Sequence, residues 1–169
     1  MLKNKRLILG VDPGLNFTGW GMVESLSNSE KYISHGVIET KKRNGLGQRL
    51  NKIYEGLEKI VDKYSPNHIS IEKIFSNSNP DSTLKLGKAR GIVFLLAARK
   101  NLDISEYSPN TVKKNLVGYG HADKNQIIKM IERIYPSIKI YSEDSADALA
   151  VAICHAMQSK SKLNFLSKG

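Results

Sequence analysis

The chain has 169 residues and, with 26 Lys and Arg against 16 Asp and Glu, a formal net charge of +10 at pH 7. Its composition, 40% apolar and 25% charged, is typical of one folded domain and excludes a disordered or fibrous chain. The single Cys154 excludes a disulfide framework, and no apolar run approaches the about 20 residues that a membrane helix needs. We therefore expect a cytoplasmic protein with no membrane partner, whose positive charge favours nucleic acid.

The amino-terminal part of the chain predicts three strands and one helix. The strands are separated by short polar gaps, which favours two successive hairpins. The helix is indicated by apolar residues that recur at helical spacing. These elements are the strands Leu7–Asp12, Thr18–Val23 and Tyr32–Thr40 and the helix Leu46–Tyr64.

The rest of the chain predicts alternating strands and helices. Pro109 is suited to the first position of a helix, and Asp123 is suited to capping one. The predicted elements are the strand His68–Phe75, the helix Thr83–Lys100, the strand Leu102–Tyr107 and the helices Pro109–Leu116, Lys124–Tyr135 and Glu143–Met157.

This element order predicts an α/β fold with a five-stranded mixed sheet flanked by helices. Three antiparallel strands followed by alternating helices and strands match a ribonuclease-H-like domain, although several α/β folds share parts of that order. We expect residues 1–158 to form this domain and residues 159–169 to form a basic, flexible tail.

Four carboxylates adjoin apolar segments, where charged side chains are costly unless they are paired or bind a metal. Asp12 ends the first strand, Glu72 lies near the end of the fourth, and Asp144 and Asp147 lie at the start of the last helix. Each acid also has an ordinary explanation. Asp12 fits a turn residue, Glu72 fits a solvent-facing strand residue, and the two acids of the last helix fit residues that stabilise the helix dipole. Taken together, they favour a shared Mg²⁺ site at the carboxyl ends of strands, suited to phosphodiester hydrolysis.

Five motifs in order resemble the RuvC family of bacterial Holliday-junction resolvases, over a match from Leu7 to about His155. They are Leu9–Gly14 with Thr18–Gly21, Ile71–Phe75, Ser82–Gly91, Val117–Lys124 and Asp144–Ala150. The resemblance implies a ribonuclease-H-like nuclease domain. It places the catalytic and metal-binding carboxylates of the family on Asp12, Glu72, Asp144 and Asp147.

The resemblance also implies a reaction and its partners. The protein would be a homodimer that places paired symmetric nicks across four-way junction DNA. It would use Mg²⁺, for which Mn²⁺ can substitute, with two ions in each active site. The products would carry 5′-phosphate and 3′-hydroxyl ends, and the RuvA–RuvB branch-migration complex would be a partner in recombination and repair.

Further residues are candidates for DNA contact. Strand-end aromatics such as Phe75 commonly belong to the core, but the family motif favours stacking on or wedging between bases. Lys113 and Lys124 flank a glycine loop and resemble the phosphate-binding lysines of the family, although lysines on helices are commonly only solvated. The weaker candidates, with the glycines that let this loop turn or approach DNA, are Lys114, Arg90, Gly118 and Gly120.

Gly87 and Gly91 share one face of the second helix. They fit either close packing on the sheet or close approach of a second subunit, and the two-fold symmetry of a four-way junction favours the second. No role is assigned to Trp20, Tyr119 or His121.

Three other functions stay open on the sequence. They are a related nuclease acting on RNA–DNA hybrids or other branched DNA, a non-catalytic binder of branched DNA, and a sugar-kinase-like or actin-like ATPase. The four acids argue against a mere binder. The Asp12-x-Gly14 turn loosely fits a phosphate loop, but such ATPases need two domains of this kind, and the chain holds one.

Overall fold

The computed structural model describes residues 5–26, 29–74 and 80–166, with side chains through residue 160. Within these ranges the chain forms strands and helices in the predicted order. They are β1 (Arg6–Asp12), β2 (Phe17–Ser25), β3 (Glu30–Glu39), α1 (Leu46–Tyr64), β4 (His68–Glu72), α2 (Pro80–Arg99), β5 (Asp103–Tyr107), α3 (Pro109–Val117), α4 (Lys124–Ile134) and α5 (Glu143–Leu166).

The strands form one mixed sheet with the order β3-β2-β1-β4-β5. β1 is antiparallel to β2 and parallel to β4, while β2 and β3 are antiparallel and β4 and β5 are parallel. This confirms the predicted five-stranded mixed sheet. In the register of the central pair, Val11 lies opposite Ile71, so β1 and β4 end side by side.

Helices cover both faces of this sheet. On one face, Leu9 and Val11 of β1 belong to a buried cluster with apolar residues of α1 and α2. On the other face, Ile8 belongs to a second cluster with α5, which also contacts α3 and α4. Because α5 lies between the sheet and two helices, its segment from Ala148 to Ala156 is buried on all sides.

Two glycines of the sheet allow α5 to approach the strands closely. A Cβ atom on Gly10 would lie 1.9 Å from the carbonyl oxygen of Ala148, and one on Gly19 would lie 1.9 Å from that of Asp144. No side chain fits at these distances, so the helix backbone rests directly on β1 and β2. The first turn of α5 is thereby fixed beside the carboxyl end of β1.

Local signals at the helix starts act as predicted. Pro109 occupies the first turn of α3, behind the Ser108 cap, whose hydroxyl accepts from the Thr111 amide. Asp123 caps α4 in a reciprocal box with Gln126. These contacts satisfy amide groups that a helix start otherwise leaves without partners.

Two element ends differ from the sequence prediction. β4 ends at Glu72 rather than Phe75, because its partner strand β5 ends at Tyr107, which lies opposite Glu72. α5 continues to Leu166, so the predicted helix end at Met157 is wrong. Residues 158–166 contain no Gly or Pro to stop a helix, and Lys160 forms an ion pair with Glu30 of β3. The division of the chain at residue 158 stays a prediction.

Candidate active site

Asp12 and Glu72 lie at the carboxyl ends of two adjacent parallel strands, β1 and β4. Side chains of a strand alternate between the two faces of its sheet. Leu9, Val11 and Ile71 face α1 and α2, so both carboxylates face α5. The strand pairing therefore places two acids on one face of one sheet edge, where they lie beneath the start of a helix.

Asp144 and Asp147 complete this group from the first turns of α5. Because residues three apart share a helix face, both carboxylates point to the same side. The close contact between Gly19 and the Asp144 backbone holds that turn against β2. The four acids predicted from the sequence are therefore neighbours at one end of the sheet, where Glu72, Asp144 and Asp147 all raise the pKa of Asp12.

The four carboxylates are partly buried and repel one another, which raises the pKa of several of them. Burial and the neighbouring carboxylates Asp147, Asp144 and Glu72 raise the pKa of Asp12 to about 8. Burial, and then Asp147, raise the pKa of Glu72 to about 6. The pKa of Asp147 is also raised by burial, against the opposing effect of Lys124. A bound cation would relieve this repulsion.

Lys124 places a positive charge on the rim of the acidic group. Its Nζ lies 2.8 Å from Glu143 Oε2 and 3.6 Å from Asp147 Oδ2. These contacts raise the pKa of the Lys124 ammonium, with the Glu143 hydrogen bond as the largest cause. The lysine thus partly neutralises the carboxylates in the way that a metal ion would.

The donor set suits a hard divalent cation, because all four side chains offer carboxylate oxygens. In the described ranges, however, no three His, Cys, Asp or Glu side chains already converge on a common point as metal ligands. Glu72, Asp144 and Asp147 are close enough to raise the pKa of Asp12, yet the four acids are not closed around a common centre. Burial, mutual repulsion and oxygen chemistry together fit a metal site that forms when the ion binds.

Arg90 fixes the end of β4. Its guanidinium donates to the main-chain oxygen of Glu72 and forms an ion pair with Glu106 of β5. The Arg90 side chain is only 11% exposed. This arrangement holds the backbone that carries the Glu72 carboxylate, so Arg90 has a positioning contact in the fold. Its role as a weaker candidate for DNA contact stays a prediction.

A cleft of about 310 Å³ opens beside these residues and is bordered by Asp12, Glu72 and Arg90. Lys113 lies near enough to lower the pKa of Glu72 against the effects that raise it. Lys114 is exposed on α3. One wall of the site is therefore negative, while the helix ends around it are positive.

The loop between α3 and α4 adopts the turn that its glycines predict. Gly118 ends α3 with φ 89°, a left-handed conformation that strongly favours glycine. A Cβ atom on Gly120 would lie 3.5 Å from Lys114 Cε, which is ordinary contact. Phe75 lies outside the described residues, so its predicted role stays a prediction.

A family model described as crossover junction endodeoxyribonuclease RuvC matches residues 8–155 of the chain. The chain belongs to the RuvC family. A RuvC-family protein of Rhizobium etli (strain CIAT 652), named crossover junction endodeoxyribonuclease RuvC, is 43% identical over 155 residues, covering 92% of each chain. A protein of the same name from Sinorhizobium medicae (strain WSM419) is 46% identical over 149 residues, covering 88% of this chain and 89% of the relative.

Solved structures agree with this assignment to the RuvC family. T. thermophilus RuvC in complex with Holliday junction substrate superposes with a TM-score of 0.86 at 25% identity, covering 93% of this chain and 96% of that one. The yeast mitochondrial Holliday junction resolvase Ydc2 shares the fold, with a TM-score of 0.67 at 16% identity, covering 95% of this chain and 83% of that one. The predicted ribonuclease-H-like fold is confirmed. None of the described helices could span a membrane.

Sequence reasoning missed two contacts between distant parts of the chain, one beside the site and one away from it. The contact of Arg90 with Glu106 was not predicted, because sixteen positions separate them and only the packing of α2 against β5 brings them together. A stacked ring pair of His68 and His155, with centroids 3.8 Å apart, was also missed. Trp20, left unassigned above, packs beside Tyr64 in the core facing α1.

Proposed function

We propose that this protein is a crossover junction endodeoxyribonuclease that resolves four-way DNA junctions by paired, symmetric nicks. The observation that carries the proposal is the meeting of Asp12, Glu72, Asp144 and Asp147 at one sheet edge, in a chain of the RuvC family. The similar structure of T. thermophilus RuvC, which is in complex with Holliday junction substrate, supports the choice of substrate. The high net positive charge of the present chain supports DNA binding.

The four carboxylates would hold Mg²⁺, or Mn²⁺ in its place, at two positions. When bound, the ions would supply an activated water and would stabilise the leaving oxygen of the phosphodiester. Asp12 lies between Glu72 and the two acids of α5, so its carboxylate is the one suited to both positions. Burial and the neighbouring acids raise the pKa of the Asp12 carboxyl group to about 8, so metal binding would favour the loss of its proton.

Other side chains would bind and orient the DNA. Lys113 and Lys124 stand beside the acidic group on α3 and α4, where they would contact phosphates next to the scissile bond. Arg90 would keep the end of β4, and with it Glu72, in place. Lys114 and the backbone at Gly118 and Gly120 would border the same DNA strand, which the cleavage step leaves with 5′-phosphate and 3′-hydroxyl ends.

A homodimer would form through the outer face of α2. Gly87 and Gly91 are exposed, and a Cβ atom on either would meet nothing within 4 Å, so the glycines are not explained by packing on the sheet. On the same helix Leu84 is 64% exposed and Leu95 is 51% exposed. Small and apolar residues on an open helix face suit close approach of an identical helix.

The cellular setting follows from the substrate. Junctions arise in homologous recombination and repair, so we place the enzyme in the cytoplasm with access to DNA. The RuvA–RuvB branch-migration complex would deliver the junction. Phe75 would stack on or wedge between bases at the crossover, since it stands three positions after Glu72 in the family motif.

One gel tests the proposal against the nearest alternative, a nuclease for RNA–DNA hybrids. End-labelled four-way junction, linear duplex and RNA–DNA hybrid are incubated with the protein, with Mg²⁺ and with chelator. Paired symmetric nicks in the junction alone, and only with Mg²⁺, are expected. Cleavage of the hybrid without cleavage of the junction would reject the proposal, and the Asp12→Asn variant serves as the inactive control.

A further inference from the structure

A second basic surface lies on the opposite side of the active-site cleft from Lys113 and Lys124. It is a groove of about 750 Å³ between the β1–β2 loop, the start of α1 and the start of α2. Four cationic side chains border it, namely Lys42, Arg49, Lys85 and Lys88. We call it the basic groove. Nothing in the proposed reaction uses these residues.

The charge of the basic groove is not neutralised by the protein. No acidic side chain is among its described lining residues, and no ion pair in the described ranges includes any of the four cations. Four uncompensated cations at one concavity repel one another and attract an anion with several negative charges. A surface of this kind fits successive phosphates of a nucleic acid strand.

Arg49 is the fixed member of the groove. Its Nε donates to Thr40 Oγ1 at 3.0 Å, and its Nη2 donates to Asn16 Oδ1 at 2.6 Å. The Thr40 hydroxyl in turn donates to the Leu15 carbonyl. Both described partners of the guanidinium are neutral, so its charge stays available, while its orientation is set before any ligand binds.

The basic groove adjoins the active-site cleft. Leu86 of α2 lines both the groove and the cleft that contains Asp12 and Glu72. The network of Arg49, Thr40 and Asn16 also ties down the loop that directly follows Asp12. A strand held in the groove would therefore lead into the acidic site.

We propose that the basic groove binds the phosphate backbone of the junction strand on the side of the scissile bond away from Lys113 and Lys124. The inference rests on the proposed junction-cleaving function and adds a second DNA contact surface to it. Lys42, Lys85 and Lys88 act as mobile counter-charges, and Arg49 acts as the fixed one. Together the two surfaces hold the strand on both sides of the carboxylates.

The test measures junction binding against salt in an Asp12→Asn background, which prevents cleavage. Lys42→Gln with Lys85→Gln should weaken binding and lower the slope of log K against log salt by about two, close to 0.9 for each lost phosphate contact. Lys59→Gln, on an exposed part of α1 outside the groove, should leave the slope unchanged. The charge-conserving double variant, Lys42→Arg with Lys85→Arg, should keep the slope of the parent protein.

A second measurement locates the contacts. Junctions in which single phosphates are replaced by neutral methylphosphonates should bind the parent protein more weakly at two or more positions on one side of the scissile bond. Those replacements should have no effect on the Lys42→Gln, Lys85→Gln protein. An unchanged slope with a folded, dimeric double variant overturns the groove proposal, whereas a parent protein that binds no junction overturns the proposed function itself.

Discussion

The Lys124 ammonium lies 3.6 Å from Asp147 Oδ2, so a protein cation already occupies the edge of the proposed metal site. The same ammonium lies 2.8 Å from Glu143 Oε2. It lowers the pKa values of Asp12, Glu72 and Asp147 against the effects that raise them. Lys124 therefore has two opposed effects, since it competes with metal and can attract phosphate.

Lys124→Gln is expected to separate these effects. Without the competing charge, the Mg²⁺ concentration for half-maximal cleavage should fall by about two- to fivefold, the scale of one neighbouring surface charge. The junction Kd should rise, and the salt slope of binding should fall by about one. Titrations of Mg²⁺ and of salt measure the two effects, with Lys129→Gln on the exposed side of α4 as control. A higher Mg²⁺ requirement in the variant would contradict the competition.

The acidic group should destabilise the metal-free protein as pH rises. The pKa of Asp12 is raised from 3.8 to about 8, so between these values the folded state holds a proton that the unfolded state has lost. The free energy of unfolding then falls as pH increases through this window. Asp12→Asn removes this effect and should raise the Tm more at pH 8 than at pH 5.

Thermal melts in chelator at pH 5 and pH 8 measure this difference. Each kcal/mol added to the free energy of unfolding raises the Tm by about 2–4 °C in a chain of this size. Asp81→Asn, an exposed acid at the start of α2, serves as the matched control and should show no pH-dependent gain. Added Mg²⁺ should stabilise the parent protein at pH 8 and leave Asp12→Asn unchanged. An equal increase in Tm at pH 5 and pH 8 for Asp12→Asn would contradict the raised pKa of Asp12.

Arg90 should affect cleavage more than binding. Its contact with the Glu72 main-chain oxygen positions the strand end, and a misplaced catalytic group commonly costs about 10–100-fold in rate. Arg90→Gln should lower single-turnover cleavage on that scale, with junction Kd and its salt slope unchanged. Arg90→Lys should recover part of the rate, and Glu106→Gln should show a smaller loss of the same kind. A reduced salt slope would show instead that Arg90 contacts phosphate.

The open face of α2 makes a prediction about assembly. A side chain at Gly91 meets nothing within 4 Å inside one subunit, so Gly91→Glu should leave the subunit folded and disrupt the dimer. Light scattering should change from the dimer mass to the monomer mass. Gly47→Glu, at an equally open position on α1, should leave the dimer mass unchanged. A dimeric Gly91→Glu protein would place the interface elsewhere.

Much of this architecture could be predicted from residue patterns because the signals are local. The continuous apolar run of β1, the apolar spacing of α1 and the caps at Ser108 and Asp123 each specify their own element. The closeness of Asp12 and Glu72 could be predicted too, since strand ends of a parallel pair meet at one edge.

The remaining features depend on contacts that local patterns do not encode. The close approach of α5 to Gly10 and Gly19 and the link from Arg90 to Glu106 arise only when distant elements pack. The polar residues after Met157 have little apolar spacing to predict a helix, but they extend one that has already formed. Lys160 also forms an ion pair with Glu30 of β3. The basic groove likewise gathers charges from three separate segments.

The most direct test is the single-turnover cleavage of a four-way junction by variants in which each acid is replaced by its amide. Asp12→Asn, Glu72→Gln, Asp144→Asn and Asp147→Asn, at saturating protein with Mg²⁺, should each lose at least about 100-fold in rate. Junction affinity should stay within about twofold of the parent, because binding depends on the basic surfaces. Cleavage at the parent rate by the Asp12→Asn variant would contradict the account, since no carboxylate at the centre of the site would then be needed.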